Sequence, residues 1–331
     1  MKFFNKSTHY IILTLMTSSL LLLSINLDAS NAIFQFETNS KESLDFFLKG
    51  REKFEDAKYT SASYLFDEAI KLDPEFALAY LYRSMSSIKG KRIFKDIENA
   101  EALANKADEG EKHFIMFYLA SAKGKRFEQK EHLTQLLELY PDDIRIQYIA
   151  GIYFHTEDAE EALKHYQKAI ELDDKFAPVY NLIGYIQTDL GNYREAEEAF
   201  KKYIELTPDN PNSYDSYAEF LIKIKRYDES IVNYRKALEI DPSYLLALWG
   251  ITEDYLLKGE FNKARDCCDE LYDKASNNYC KYCALLKKAM SYIYEGRVED
   301  AMLMLNKCNN FAKKKNIPVE TVTYSFSKYP S

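Results

Sequence analysis

Residues of similar size recur 34 positions apart through the middle and C-terminal parts of this chain. One set of positions holds small residues, and a second set, four positions later, holds mostly aromatic ones. A fixed period of this length indicates one supersecondary unit copied in tandem, with each copy burying its apolar face against its neighbours. The chain is therefore expected to act through an extended surface and not through one catalytic pocket. The two sets are Ala162, Ala196, Ser230 and Ala264, then Tyr166, Phe200, Tyr234 and Cys268.

The unit from residue 177 to residue 210 indicates what is copied. Its first half carries apolar residues at helical spacing, and Gly191 then provides a stop, because glycine tolerates the left-handed conformation that ends helices. Its second half starts at Tyr193 and places Ala196 on the apolar face, before Pro208 prevents continuation. The unit is therefore predicted to be two antiparallel helices of about twelve to fourteen residues joined by a tight turn.

These sets of residues at a 34-residue spacing, which we call columns, resemble the pattern of the tetratricopeptide repeat family. Similar copies extend over residues 43–310; those within 77–141 are degenerate, and the copy containing Gly151 has an inter-helix turn that looks one residue short. The resemblance implies an all-α fold, an α-solenoid of about eight antiparallel helix pairs in a right-handed superhelix, with each first helix lining the concave side. The residues that carry it best are Tyr180, Gly184, Gly191, Tyr193, Ala196, Phe200 and Pro208, then Tyr214, Ala218, Tyr227, Ser230, Tyr234, Ala237 and Pro242.

The first 29 residues differ from the rest of the chain. Two lysines precede an apolar stretch over residues 10–25, and small residues follow. This order is typical of a secretory signal peptide. We expect cleavage near Ala29 or Ala32 and export to a bacterial periplasm or beyond; the alternative is an uncleaved segment that anchors the protein in the membrane. Residues 30–42 would form a lead-in to the repeats, and residues 311–331 a polar C-terminal tail.

The charge of the chain bears on the class of partner. A formal net charge of −8 argues against a nucleic-acid partner, since phosphate contacts need clustered Lys and Arg. The basic run Lys313–Lys315 is interpreted as a helix end, where cations complement the helix dipole. We therefore expect a protein or peptide partner, with membrane contact only if the N-terminal segment stays uncleaved.

The sequence contains no recognisable catalytic signature. The glycines form no phosphate-binding loop, and the histidines beyond the N-terminal segment never occur at metal-ligand spacing. These histidines are interpreted as surface or interface side chains. We therefore expect a protein that is not an enzyme and that binds neither a cofactor nor a metal. The histidines are His113, His132, His155 and His165.

The cysteines all lie near the C-terminus and leave alternatives open. Cys280 and Cys283 have the spacing seen in redox and zinc sites. Cys268 and Cys308 fall in packing columns and are expected to be buried. A disulfide from Cys267 to Cys280 or Cys283 would suit an exported protein better than zinc would. These residues support an alternative hypothesis, a redox- or metal-linked envelope protein.

The stripe of each first helix that packing does not use is expected to face the concave groove. Trp249, the only tryptophan, lies one residue after the core position held by Tyr180 and Tyr214 in earlier copies, an offset that would turn it toward the groove. The alternative is that Trp249 fills a gap in the core. Large aromatic side chains are favoured binding anchors. The predicted groove residues are Tyr148, His155, Asn181, Tyr185, Thr188, Asp215, Glu219, Trp249 and Glu253.

The leading hypothesis is a non-enzymatic adaptor or scaffold that holds a peptide segment or a partner helix in this groove. Asn181, Asp215 and Glu219 would orient a peptide backbone or a basic side chain. Some members of the family grip a C-terminal carboxylate through Lys, Asn and Arg, whereas the matching stripe here is acidic. An anionic peptide terminus is therefore a poor candidate, and recognition of glycan fragments by the tyrosines is a further, less supported alternative.

Overall fold

The computed structural model describes residues 34–36, 38–55, 59–87 and 90–317. Within these ranges the chain forms sixteen α-helices and no β-strand, and the helices follow one another as eight first helices, each succeeded by a second helix. The predicted all-α architecture of repeated helix pairs is confirmed. The helices are α1 (Lys41–Glu55), α2 (Tyr59–Leu72), α3 (Ala77–Ser86), α4 (Gly90–Ala104), α5 (Glu109–Ala122), α6 (Arg126–Leu139), α7 (Ile144–Phe154), α8 (Ala159–Leu172), α9 (Ala177–Asp189), α10 (Tyr193–Leu206), α11 (Pro211–Lys223), α12 (Tyr227–Ile240), α13 (Leu245–Leu257), α14 (Phe261–Lys274), α15 (Asn278–Tyr294) and α16 (Val298–Lys315).

Helix pairs form even where the repeat sequence is weakest. The degenerate stretch 77–141 holds α3 paired with α4 and α5 paired with α6. Leu78 on α3 and Ala100 on α4 are both fully buried, so the apolar face persists without the usual aromatic columns. The side chain of Asp108 caps α5 by accepting a hydrogen bond from the N–H of Glu111 at 2.8 Å. Helix pairing therefore depends on apolar spacing and caps more than on the signature residues.

The chain divides into two compact units, one up to Ile186 and one from Gln187 onward. The core of the first unit is rich in large aromatic side chains, among them Phe47 and Tyr166, which are inaccessible to solvent. The core of the second unit includes Leu248, which is 2% exposed. Each unit thus has an apolar interior of its own.

Glycines on first helices allow aromatic rings on the neighbouring helix to approach closely. A Cβ atom added at Gly50 of α1 would lie 2.7 Å from the ring of Phe66 on α2. A Cβ atom at Gly151 of α7 would overlap the ring of Tyr166 on α8. The small and large columns of the sequence therefore face each other in these pairs, as interdigitated helix packing requires.

Several turns between a first helix and its second helix contain one left-handed residue. Gly191 and Gly259 have φ values of 79° and 74°, and a Cβ atom at either would meet nothing within 4 Å. Lys225 lies midway between them, 34 residues from each, and adopts the same conformation with φ 63°. A lysine here carries the steric cost that glycine avoids.

The predicted short turn in the fourth pair is wrong. Four residues, 155–158, separate α7 from α8, whereas three, 190–192, separate α9 from α10. The fourth copy is one residue shorter than the fifth because its first helix is shorter: α7 has 11 residues, whereas α9 has 13. No residue in 155–158 takes a positive φ, so the tight glycine turn is not used. The side chain of Asp158 instead caps α8 through the N–H of Glu161.

The C-terminal helix continues into the predicted tail, residues 311–331, and ends at the basic run, which confirms the interpretation of that run as a helix end. Lys313–Lys315 lie in the last turn of α16, where their charge complements the helix dipole, and Asn316 follows in the left-handed conformation with φ 53°. None of the helices in the described ranges is both long and apolar enough to cross a bilayer. The predicted signal segment, residues 1–29, and residues 318–331 of the predicted tail lie outside the described residues.

Candidate functional site

Trp249 and Lys287 meet on neighbouring first helices of the second unit, α13 and α15. The Lys287 ammonium lies 5.2 Å from the centroid of the Trp249 ring, close enough for a cation–π interaction. One helical turn after Trp249, the Glu253 carboxylate forms a 2.6 Å ion pair with the same ammonium. The side chains of Glu253 and Lys287 are 20% and 17% exposed. This arrangement places the Trp249 ring beside the ion pair of Glu253 and Lys287, on the surface that these two helices share.

The residues around Trp249 and Lys287 belong to two columns of the repeat. Glu219 on α11, Glu253 and Lys287 lie 34 residues apart, and the contact between Glu253 and Lys287 shows that neighbours in a column touch. The other column holds Asp215 on α11 and Trp249. Asp215, Glu219, Trp249 and Glu253 are all half-buried. We call Asp215, Glu219, Trp249, Glu253 and Lys287 the second-unit face.

Trp249 contributes to the core and also contacts a charged side chain. Its ring packs beside the cluster that contains Leu248 and beside the cluster that contains Tyr282, yet it is only half-buried. One side of the ring therefore supports the core, while the Lys287 ammonium lies against the ring. Lys287 was missed in the sequence analysis, although it is the next member of the column that contains Glu219 and Glu253.

Four of the predicted groove residues lie in the first unit. Tyr148 on α7 is 2% exposed and makes an edge contact with Phe176, with ring centroids 5.4 Å apart. His155 follows the last residue of α7 and is half-buried. Asn181 on α9 is 5% exposed, and its Oδ1 has no hydrogen-bond partner in the described part of the chain. Tyr185, one turn further along α9, is half-buried.

Thr188 is the remaining predicted residue. It falls in the second unit and is 8% exposed. The structure thus brings together Trp249 and Glu253, places Asp215 and Glu219 on the adjoining first helix, and leaves Tyr148, Asn181 and Thr188 mostly covered.

A buried acid lies directly beside this face. Asp254 on α13 is inaccessible to solvent, and neither of its carboxylate oxygens has a hydrogen-bond partner of good geometry in the described residues. Burial raises the pKa of Asp254 to about 7; the nearby hydroxyl of Ser230, which donates to the carbonyl of Ala218, offsets only part of this. The column of Asp254 holds Ile186 and Phe220 in earlier copies, so the sequence did mark it as an acid in an apolar position.

The cysteines give no support to a redox site. All five are free thiols; Cys268 and Cys308 are 1% and 0% exposed, which confirms their predicted burial. Burial raises the pKa of Cys267 to about 11 and that of Cys268 to about 12, and it also raises the pKa of Cys283. Because the thiolate is the reactive form, these residues are poorly suited to thiol chemistry.

Two histidines predicted as surface or interface residues pair inside the first unit. The Nδ1 atoms of His113 on α5 and His132 on α6 lie 2.9 Å apart, so one ring donates a hydrogen bond through its N–H and the other accepts it. Burial lowers the pKa of both. In the described ranges, no group of three or more His, Cys, Asp or Glu side chains is arranged to hold a metal ion. The pair is therefore a helix-to-helix contact.

Comparisons with known proteins agree with the helix-pair geometry. Sequence profiles described as tetratricopeptide repeat match residues 142–209 and 211–244. The TPR repeat-containing protein MJ1428 of Methanocaldococcus jannaschii is 26% identical over 227 residues, which cover 63% of this chain and 38% of that protein. The DnaJ homolog subfamily C member 7 homolog of Schizosaccharomyces pombe is 29% identical over 131 residues, 34% of this chain and 27% of that protein. The chain thus matches well under half the length of these curated relatives.

A solved structure has a similar fold. The crystal structure of yeast Tom70 superimposes with a TM-score of 0.56 and 16% identity, and the match covers 96% of this chain and 68% of Tom70. At this identity the likeness concerns the fold alone.

Proposed function

This chain carries tetratricopeptide repeats, and on that premise we propose that it is a non-enzymatic scaffold that holds a peptide segment or a partner helix against the second-unit face. Tetratricopeptide repeats generally mediate interactions between proteins. The observation that carries the proposal is the cluster of Trp249, Glu253 and Lys287, in which an aromatic ring is fixed beside an ion pair on two first helices. Half-buried aromatic anchors of this kind dominate many protein interfaces.

The charges of the face favour a ligand of particular chemistry. Asp215 and Glu219 add two carboxylates next to Trp249, while Lys287 is engaged by Glu253. A ligand with an apolar or aromatic side chain for Trp249, and with basic side chains or backbone N–H groups near the carboxylates, would be complementary. A ligand that ends in a carboxylate would be repelled. In the first unit, taken by itself, we propose the half-buried His155 and Tyr185 as ligand contacts. Tyr148, Asn181 and Thr188 are 2%, 5% and 8% exposed, so we propose that they support the surface and do not themselves offer much area to a ligand.

The burial of most of the cysteines supports a binding role over the redox alternative. Four of the five cysteines are buried, and burial raises the pKa of Cys308 to about 11. A thiolate, which redox exchange and zinc binding both need, is therefore disfavoured at neutral pH.

We also propose that residues 1–29 direct export, to a bacterial periplasm or out of the cell. The support is the sequence itself, which has basic residues, an apolar stretch and small residues in the order of a secretory signal. Cell fractionation with N-terminal sequencing tests this. A mature N-terminus just after Ala29 or Ala32 is expected, whereas an intact Met1 in the soluble cytoplasmic fraction would contradict export.

Selection from a random twelve-residue peptide library displayed on phage tests the binding function. The wild-type protein should enrich a family of apolar and basic peptides. Trp249→Ala should lose this enrichment, and Lys287→Ala should change it. Val232→Ala is the matched control, because Val232 lies on a second helix and is 65% exposed. Enrichment of the same peptides by Trp249→Ala and wild type would remove the second-unit face as the binding site.

A further inference from the structure

The segment before the first helix lies extended against the first unit. Phe34 is 2% exposed, Gln35 is exposed, and Phe36 is half-buried, so alternate side chains point into the unit, as they do in a strand. Residues 34–36 belong to neither a helix nor a strand. The position of this segment therefore depends on side chains that lie elsewhere in the chain.

Two charged side chains hold the backbone of Phe34 at the start of α7. The N–H of Phe34 donates a hydrogen bond to Asp143 at 3.1 Å, and the guanidinium of Arg145 donates one to the Phe34 carbonyl at 2.6 Å. Arg145 also donates to both oxygens of Asp143, at 3.1 and 2.6 Å. Although burial opposes ionisation, the charge and hydrogen bonds of Arg145 hold the pKa of Asp143 below its ordinary value. Asp143 and Arg145 thus bind the backbone N–H and the backbone carbonyl of the same residue, Phe34.

The two phenylalanine rings occupy aromatic and cationic surroundings. Phe34 stacks on Phe114 of α5, with centroids 4.9 Å apart and planes at 25°. The ring of Phe36 lies 4.7 Å from the guanidinium of Arg51 on α1 and 5.3 Å from that of Arg145. Arg51 is only 3% exposed. Rings flanked by buried guanidinium groups gain a cation–π contribution that an aliphatic side chain would not supply.

A second anchor fixes the other end of the segment. The hydroxyl of Thr38 donates to Asp73 at 2.7 Å, and the N–H of Asn39 donates to the same oxygen at 3.0 Å. Asp73 lies just after α2, whereas Asp143 lies just before α7. The segment therefore runs from the first helix pair to the fourth. Except for the loop residues that precede or follow helices, its contacts are made with first helices.

These contacts have the character of a ligand in a binding site. Short extended peptides are recognised through their backbone groups and through pockets for alternate side chains, and both features are present here. Buried charges such as Asp143 are costly unless they are paired and hydrogen-bonded, and Phe34 supplies the N–H and the carbonyl that complete this pair. A segment that only covered a core would not need buried charges aimed at its backbone.

We propose that the first helices of the first, third and fourth pairs, together with the loop residues Asp73 and Asp143, form a site for an extended Phe-x-Phe segment, and that residues 34–36 of this chain are its tethered, exchangeable occupant. The site prefers aromatic over aliphatic side chains because of Arg51 and Arg145. A partner segment of the same chemistry binds only by displacing the tethered one. This site is separate from the second-unit face, and neither depends on the other.

Peptide binding to the full-length chain tests the proposal. The probe is a fluorescein-labelled peptide with the sequence of residues 33–40, Ile-Phe-Gln-Phe-Glu-Thr-Asn-Ser, followed by fluorescence anisotropy. Phe34→Ala/Phe36→Ala empties the two ring positions in the tethered segment, and it should bind the peptide at least tenfold more tightly than wild type. A peptide with leucine in place of both phenylalanines should bind at least threefold more weakly than the phenylalanine peptide.

A matched double variant and a measurement on the wild type complete the test. Phe94→Ala/Phe127→Ala removes two phenylalanines that are 69% and 75% exposed, and it should bind the peptide no better than wild type. In the wild type, the amide of Phe34 should exchange with deuterium faster than the amides in the middle of α7. Equal binding by the wild type and by Phe34→Ala/Phe36→Ala would overturn the proposal. Exchange of the Phe34 amide only through global unfolding would overturn it too, since the segment would then be a fixed part of the core.

Discussion

The guanidinium of Arg145 donates a hydrogen bond to the carbonyl oxygen of Phe34, 111 positions earlier in the sequence. The same guanidinium binds Asp143 through two of its nitrogens. Lysine cannot reproduce this forked geometry, although it keeps the charge. The stability of the first unit therefore depends on the shape of this side chain as well as on its charge.

Arg145→Lys should lower the free energy of unfolding of the first unit by about 1–3 kcal/mol, since it loses hydrogen bonds to a buried charged group. It should also speed deuterium exchange at the Phe34 amide. Arg194→Lys is the control, because the Arg194 side chain is 80% exposed and its loss should change stability by less than about 0.5 kcal/mol. Chemical denaturation of both variants checks this. Equal stability of the two variants would contradict the role given to Arg145.

Gly151→Ala should destabilise the protein by about 1–3 kcal/mol, because the new methyl group overlaps the ring of Tyr166 and that ring is fully buried. Gly50→Ala should be milder, because its methyl group would meet the Phe66 ring at 2.7 Å. Thermal unfolding of the two variants measures the difference. A Gly151→Ala variant as stable as wild type would show that the fourth pair tolerates wider helix spacing.

Lys225→Gly should stabilise the protein by about 1 kcal/mol, because it places glycine at a left-handed position. Gly191→Ala should destabilise it by a similar amount, and the open space around Gly191 means that this loss comes from backbone conformation alone. Both effects should appear in urea denaturation, without a change in the slope of the transition. Stabilisation by both substitutions, or by neither, would be inconsistent with the conformations described.

Asp254→Asn should remove a pH dependence of stability. Burial raises the pKa of Asp254 to about 7 in the folded protein, while the unfolded chain has a value near 3.8. Between these values the folded state holds a proton that the unfolded state has released, so the stability of the wild type falls as pH rises through this window. From pH 4 to pH 8 the variant should gain on the order of 4 kcal/mol relative to wild type, since each pKa unit corresponds to about 1.4 kcal/mol.

The control for this measurement is Asp189→Asn, because Asp189 is exposed. Its stability difference from wild type should stay constant over the same pH range. Unfolding curves at several pH values distinguish the two variants. A constant difference for Asp254→Asn as well would mean that Asp254 is ionised in the folded protein at pH 4 to 8.

The helix pairs and the second-unit face could be predicted because both recur with the repeat. Trp249 and Glu253 lie in columns that advance by 34 residues, and extending one column by another step would have found Lys287. Asp254 was equally visible, as an acid in a column of apolar residues. Periodicity thus carries information about contacts between neighbouring copies.

Contacts that do not recur with the repeat could not be predicted from the sequence. The hydrogen bonds of Phe34 join residues more than 100 positions apart, a separation that the 34-residue period does not indicate. The left-handed Lys225 was also missed, because lysine gives no signal for that conformation and only its register with Gly191 and Gly259 indicates it. The turn of the fourth pair was misjudged because the sequence shows only the distance between the repeat positions that hold small or aromatic residues. A shorter helix and a shorter turn reduce that distance equally.

Site-specific photo-cross-linking in producing cells tests most directly whether the second-unit face binds a protein. A benzoylphenylalanine replaces Glu219 on this face in one variant and Val232, which is 65% exposed on a second helix, in the other. Adducts with a partner should form at position 219, disappear when Trp249→Ala is added, and be absent at position 232. Equal adducts at the two positions, or adducts at 219 that survive Trp249→Ala, would contradict a binding site built around Trp249.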